Sequence, residues 1–178
     1  MILTIIFTLS YANYKKLKIT PLFKSIWFLP ILILEIVHLL FQIAAFHSIY
    51  IFIPYAGLLK RLYLYALFLP IIRYGLYQSA LLGSLSILMG TTLNKIVMHA
   101  NSGFMPVYPS ISKWTGYFNA APFSTYDSIH VLGDANTKLK FLSDYIDIGF
   151  SILSPGDLLI HFFSFIVLYS TIKKLQIN

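Results

Sequence analysis

Cysteine is absent from the chain, which removes disulfides, thiolate zinc sites, cysteine nucleophiles and cysteine-ligated iron–sulfur clusters from consideration. Charge is scarce as well. Only 11% of the 178 residues are Asp, Glu, Lys or Arg, against about 25% in an ordinary soluble domain. Lys and Arg outnumber Asp and Glu by thirteen to six. They are scattered between apolar runs rather than gathered on one solvated face, which argues against nucleic acid as a partner. The sequence also lacks a Gly-rich phosphate loop, a Gly-x-Ser-x-Gly elbow and a kinase signature. It shows neither the ten-residue alternation of a membrane barrel nor the internal repeat of an inverted-repeat transporter.

What is present is apolar. Hydrophobic residues make up 58% of the chain and mean hydropathy is +0.77, so hydrocarbon is the expected surrounding. There every backbone polar group must be satisfied internally, which favours helices. The expected fold is therefore all-α: one integral membrane domain over 1–178, with helices at about 2–14, 26–46, 58–72, 74–99 and 155–174. The first is short for a span, and the Lys15–Lys24 linker follows it. A spanning helix needs roughly 20 apolar residues, and 26–46 supplies them. The 47–60 stretch, broken by Pro54 and Gly57, reads as re-entrant or interfacial, with Lys60 and Arg61 snorkelling at the outer end of the third helix. Residues 101–153 read as a long external loop, too aromatic for disorder. Its side chains suit a lid over the bundle mouth.

Five crossings place the termini on opposite sides. Lys15–Lys24, Arg73 and Lys173–Lys174 then share a side, and their cation density makes it the cytoplasmic one. The expectation is a plasma-membrane protein with its N-terminus outside and its C-terminus inside.

Three groups of polar residues stand out. Glu35, His38 and Gln42 follow i, i+3, i+7 spacing and share one face of the second helix. A charge at mid-bilayer costs about 2.5–3.5 kcal/mol and is a functional hypothesis by default. Glu35 suits a proton relay, a cation ligand or a ligand anchor; alternatively it bonds to Asn94, Thr91 or a serine of the fourth helix. That helix carries a row of small and polar residues, Ser79, Gly83, Ser86, Gly90 and Asn94, suited to close helix packing, a solute path or a homodimer seam.

The last helix opens Ser154-Pro155-Gly156-Asp157, a capping-box-like start with an acid matched to the helix dipole. His161 lies one turn on, so Asp157 and His161 could bind a metal or pass a proton, the more so if His99 joined them. In the loop, Asp127, His130, Asp134, Asp144 and Asp147 stand among aromatics that include Phe123 and Tyr126. Their spacing matches neither an EF-hand nor a zinc-helix motif.

Asn101, Gly103, Met105, Pro106 and Val107, then His130, then Thr137, Leu139, Leu142 and Asp144, then Ser154, Gly156 and Asp157, with Asn94 before them, form a pattern. It resembles a bacterial family of small multi-pass membrane proteins of unknown function. That family carries an Asn-Gly-Gly-x-Met-Pro-Val turn and a Ser-x-Gly-Asp helix start. The likeness covers the C-terminal half in motifs and the N-terminal half in hydrophobic layout. Ser102 and Ser143 stand where the family has glycine. The resemblance implies a bacterial plasma-membrane protein in which the external loop and the last helix act together; it implies no activity and no cofactor.

The functional expectation is a non-enzymatic accessory or ligand-binding subunit of a larger membrane complex, with a polar cavity capped by the 101–153 loop. Its partners would be the lipid bilayer and a membrane subunit or small-molecule ligand. The alternatives are a solute-binding transport subunit needing a separate energising partner, and an intramembrane metal-dependent enzyme using Asp157, His161 and His130.

Overall fold

Apolar runs this long pay for burial in lipid only as helices, and helices dominate the computed structural model, which describes residues 1–119 and 129–176. Its helices are α1 (Ile2–Tyr14), α2 (Thr20–Lys24), α3 (Leu29–Phe46), α4 (Ala56–Tyr74), α5 (Tyr77–Ala100), α6 (Ile111–Trp114) and α7 (Pro155–Lys174). By length and composition α3, α4 with its preceding 3-10 turn, α5 and α7 can each cross a membrane. The fold is the all-α membrane bundle expected. However, α1, with 13 residues, measures about 20 Å at 1.5 Å per residue, short of a hydrocarbon core of about 30 Å.

Helix boundaries follow proline and glycine chemistry. α3 begins at Leu29 rather than Ile26, because Ser25–Phe28 form a turn in which the Phe28 N–H donates to the Ser25 carbonyl at 3.0 Å. Pro30 then falls in the first helical turn, where its missing N–H costs nothing. α4 and α5 are separated by Gly75, at φ +65°. The Leu76 N–H donates to the Ile71 carbonyl at 2.9 Å, the closing bond of a left-handed helix C-cap. Residues 47–55 are turns and the 3-10 turn Ile53–Tyr55, and helix begins again at Ala56. Lys60 and Arg61 lie in its second turn, both exposed.

By internal packing the chain divides into two units. The first comprises Met1–Leu39, Gly57–Ile87 and His161–Asn178. Its core holds Phe28, Ile31, Leu67, Val167, Leu168 and Ile172, each at most 3% exposed. α1 lies along α7 there: the Phe7 and Phe165 rings are 5.4 Å apart, and those of Tyr11 and Tyr169 5.2 Å. Ser79 and Ser170 hydroxyls share a hydrogen bond of 2.9 Å, and Gly83 lies against the Phe163 ring. Ile33, Ile36, Leu81, Leu82 and Leu85 are more than half exposed, as lipid-facing side chains must be.

The second unit comprises Leu40–Ala56 and Leu88–Ile160. Within it Gly90 of α5 meets Gly156 of α7 backbone to backbone. The segment expected as a loop contains folded strands. β1 (Met105–Val107) pairs in parallel with β2 (His130–Leu132), Met105 opposite His130, and Val107 bridges to Asp144. β3 (Ile146–Asp147) pairs antiparallel with β4 (Ile152–Leu153). The turn from α5 into β1 places Ser102 at φ +58° and Gly103 at φ +90°. A non-glycine residue there carries a steric cost. Ser102→Gly is therefore expected to stabilise the protein by about 0.5–1 kcal/mol, after the entropy that glycine adds to the unfolded chain. A thermal midpoint no higher than wild type would contradict it.

Candidate functional site

In the first unit the polar residues of α3 meet α4. Glu35 is only 6% exposed and accepts a hydrogen bond from the Tyr63 hydroxyl on its Oε2. Its other oxygen, Oε1, lies 3.6 Å from His38 Nδ1. The His38 and Tyr63 rings meet edge to face, centroids 6.5 Å apart. Glu35 Oε1 and His38 Nδ1 are both buried, and neither has a hydrogen-bond partner among the described residues. Their separation exceeds a working hydrogen bond, so a carboxylate oxygen and an imidazole nitrogen face each other across a narrow gap. Such a pair can share a proton or accept a small donor or cation between its members.

One of the alternatives open from sequence was a bond from Glu35 to Asn94, Thr91 or a serine of the fourth helix; the interhelical donor to its Oε2 is instead Tyr63 of α4. A tyrosine within an apolar run gives no sign in sequence that its hydroxyl meets a carboxylate. Gln42, from the same stripe, belongs to the second unit and donates to the Phe150 carbonyl at 3.3 Å.

Asn94 is committed to the start of α7. Its Oδ1 accepts from the Ser154 hydroxyl at 2.9 Å, and its Nδ2 donates to Asp157 Oδ1 at 3.2 Å. Ser154 Oγ also accepts from the Asp157 N–H at 2.9 Å, and Asp157 Oδ2 accepts from the Ser154 N–H at 3.2 Å. This is a closed capping box tied to α5 by one asparagine. His161 instead meets the Thr4 hydroxyl at 3.2 Å. Asp157 and His161, whose spacing suggested a pair, thus have separate partners, and His99 is exposed at the end of α5. Among the described residues no three His, Asp or Glu side chains gather as metal ligands would.

The 101–153 segment is organised around two asparagine and aspartate hubs. Asn101 clamps the backbone of Lys138, donating to its carbonyl at 3.0 Å and accepting from its N–H at 2.9 Å. It also donates to the Val97 carbonyl at 2.9 Å. Met105 is buried in β1, a packing role. His130 Nε2 approaches Asp144 Oδ2 at 3.4 Å, so the strands bring these two candidates together. Asp134 closes its own turn, accepting from the Asn136 N–H at 2.9 Å and the Thr137 hydroxyl at 3.2 Å. Asp127, Phe123 and Tyr126 lie outside the described residues.

Asp147 is heavily hydrogen-bonded. Its Oδ2 accepts from the N–H of Ser110 at 2.6 Å, the N–H of Ser112 at 2.8 Å and the Ser112 hydroxyl at 2.7 Å. Its Oδ1 accepts from the Gly149 N–H at 2.9 Å. Burial pushes its pKa up, but the bonds from Ser112, Gly149 and Ser110 outweigh burial and hold it below the ordinary aspartate value. Ser110 and Ser112, on either side of Ile111 at the start of α6, went unnoticed in the sequence as partners of this acid.

These side chains describe a buried polar cluster and a hydrogen-bonded 101–153 segment without assigning a reaction to either. No curated protein and no solved structure matches the chain. Residues 19–169 match the DUF5317 family, described as a family of unknown function, and the chain belongs to that family.

Proposed function

We propose that the protein is a non-enzymatic, multi-pass plasma-membrane protein that serves as an accessory or ligand-binding subunit of a larger membrane complex. The Glu35, Tyr63 and His38 cluster is its binding centre for a small molecule or an ion. The observation that carries this reading is a buried carboxylate, Glu35, that takes the Tyr63 hydroxyl on Oε2 while Oε1 and His38 Nδ1 face each other at 3.6 Å, beyond hydrogen-bond distance. Buried polar atoms are almost always satisfied, and leaving one unmade costs about 1–3 kcal/mol. A bound donor or cation at Oε1 relieves that cost.

The orientation we propose puts Lys15–Lys24, Arg73 and Lys173–Lys174 on the cytoplasmic side and the 101–153 segment outside. α1 enters from the cytoplasmic side with its N-terminal end directed outward, and the C-terminus stays inside. Two contacts within the first unit support the grouping. Lys18 exchanges backbone hydrogen bonds of 2.9 Å with the Gln176 side chain, and Ser25 meets the Tyr74 hydroxyl at 2.8 Å.

Mass spectrometry of the gently purified protein, with and without Glu35→Gln, tests the binding centre. Wild type is expected to carry a small molecule or ion that the variant loses, together with a thermal stabilisation of several degrees. Identical bound species in both proteins would refute the reading. Tyr63→Phe should weaken retention by about 10-fold or more, since a hydrogen bond to a charged group contributes about 1.5–3 kcal/mol.

A further inference from the structure

The linker between α1 and α3 forms one wall of a groove of about 430 Å³, lined by Lys18, Thr20, Lys24, Ser25, Tyr74 and Leu175. All belong to the first unit. We propose that this groove binds the phosphate-bearing headgroup of an anionic phospholipid.

Three observations carry it. The first is charge. Lys18 and Lys24 are exposed, and neither pairs with a carboxylate among the described residues. Lys15 and Lys16 precede them in sequence, and Arg73 and Lys174 are the chain neighbours of the lining residues Tyr74 and Leu175. Among the described residues of the first unit, a phosphate here meets the two lysines and no carboxylate paired with them.

The second is hydrogen-bonding capacity on a fixed frame. Thr20, Ser25 and Tyr74, all hydroxyl-bearing, line the same groove. The Ser25–Tyr74 bond of 2.8 Å holds two of them in place. The twin 2.9 Å bonds between the Lys18 backbone and Gln176 fix the base from which the Lys18 ammonium reaches. A site whose donors are held before the ligand arrives loses less entropy on binding.

The third is the apolar surface that follows directly in sequence. Phe23, Ile26 and Leu29 are 48%, 70% and 48% exposed, and they run from the groove's wall into the start of α3. A free phosphate ion has no use for them. A phospholipid does: its headgroup meets the lysines and hydroxyls while its acyl chains lie along the apolar surface of the helix. Interfacial lysines beside a spanning helix are the usual chemistry for anionic lipid.

Native mass spectrometry of the full-length protein in detergent tests the site. The probes are phosphatidylglycerol, phosphatidylcholine and inorganic phosphate, each titrated separately and the last also as competitor. Wild type is expected to take one tight phosphatidylglycerol and to bind phosphatidylcholine only weakly. The K18Q/K24Q variant should weaken phosphatidylglycerol binding by about 30-fold, each lysine near an anionic headgroup contributing about five-fold. K18R/K24R should retain it, and K113Q/K138Q, altered in the other unit, should match wild type. In wild type alone, 0.5 M salt should lower the affinity several-fold through screening. Equal binding of the two lipids, an equal loss in K113Q/K138Q, or indifference to salt would overturn the proposal. Displacement of the lipid by inorganic phosphate at comparable concentration would reassign the groove to a soluble phosphate.

Discussion

Gly156→Ala is expected to destabilise the protein by about 3 kcal/mol or more, lowering its thermal midpoint in detergent by about 6–12 °C. The reason is the atom that the new methyl group meets. A Cβ at Gly156 runs into Asn94 Oδ1 and the Gly90 carbonyl oxygen, and a Cβ at Gly90 runs into the Gly156 carbonyl oxygen. Backbone cannot rotate out of the way as a side chain can, so α5 and α7 must separate there. Separation also stretches the bonds from Asn94 to Ser154 and Asp157, and packing is what holds helices together in lipid. Two other glycines calibrate the effect. At Gly83 the methyl group meets chiefly the Phe163 ring, which can shift, so a smaller loss of about 1–2 kcal/mol is expected. Gly57 has open space in place of a Cβ, and alanine there should cost nothing. A Gly156→Ala protein as stable as Gly57→Ala would contradict the close helix contact.

The row Ser79, Gly83, Ser86, Gly90 and Asn94 was legible in the sequence because a helix repeats its faces every three to four residues. The partner, α7, was not written in the row. Ser154 and Asp157 were equally legible, since a capping box is decided within four consecutive residues. That same local bonding explains why the Asp157–His161 pairing misled: the helix start had already claimed the acid. Tyr63 escaped notice because α4 offers several tyrosines in an apolar run, and only the packing of α3 against α4 selects the one that meets Glu35. The strands within 101–153 have two or three residues each. They are too short for an alternating pattern, and β1 and β2 are set by pairing between residues 25 positions apart, as with Met105 and His130. His130 and Asp144 could be nominated singly from sequence, but their approach depends on β1 lying between the segments that carry them.

Asp147→Ala is expected to cost about 4 kcal/mol within the 101–153 fold. The carboxylate takes three backbone N–H groups and the Ser112 hydroxyl, and hydrogen bonds to a charged group contribute about 1.5–3 kcal/mol each before the freed donors find water. Ser110 and Ser112 flank the start of α6, and Gly149 sits in the turn between β3 and β4. Removing the carboxylate therefore releases both elements from one another. Hydrogen exchange should show it: the amides of Ser112 and Gly149 lose protection by about 100-fold or more while those within α5 do not. Asp147→Asn separates charge from shape. Its remaining oxygen can still serve Ser112, but its amide would confront the Gly149 N–H, so an intermediate loss is expected. Acid should act in the same direction. The folded pKa lies below the ordinary value of 3.8, so the unfolded segment binds a proton first. Asp147 thus contributes its full stabilisation above about pH 5 and loses it progressively as pH falls below about 4. The same two amides in wild type should therefore lose protection below that pH, after correction for the intrinsic exchange rate, and in Asp147→Ala they should not. If wild type and variant respond to acid alike, the Asp147 hub does not hold this segment together.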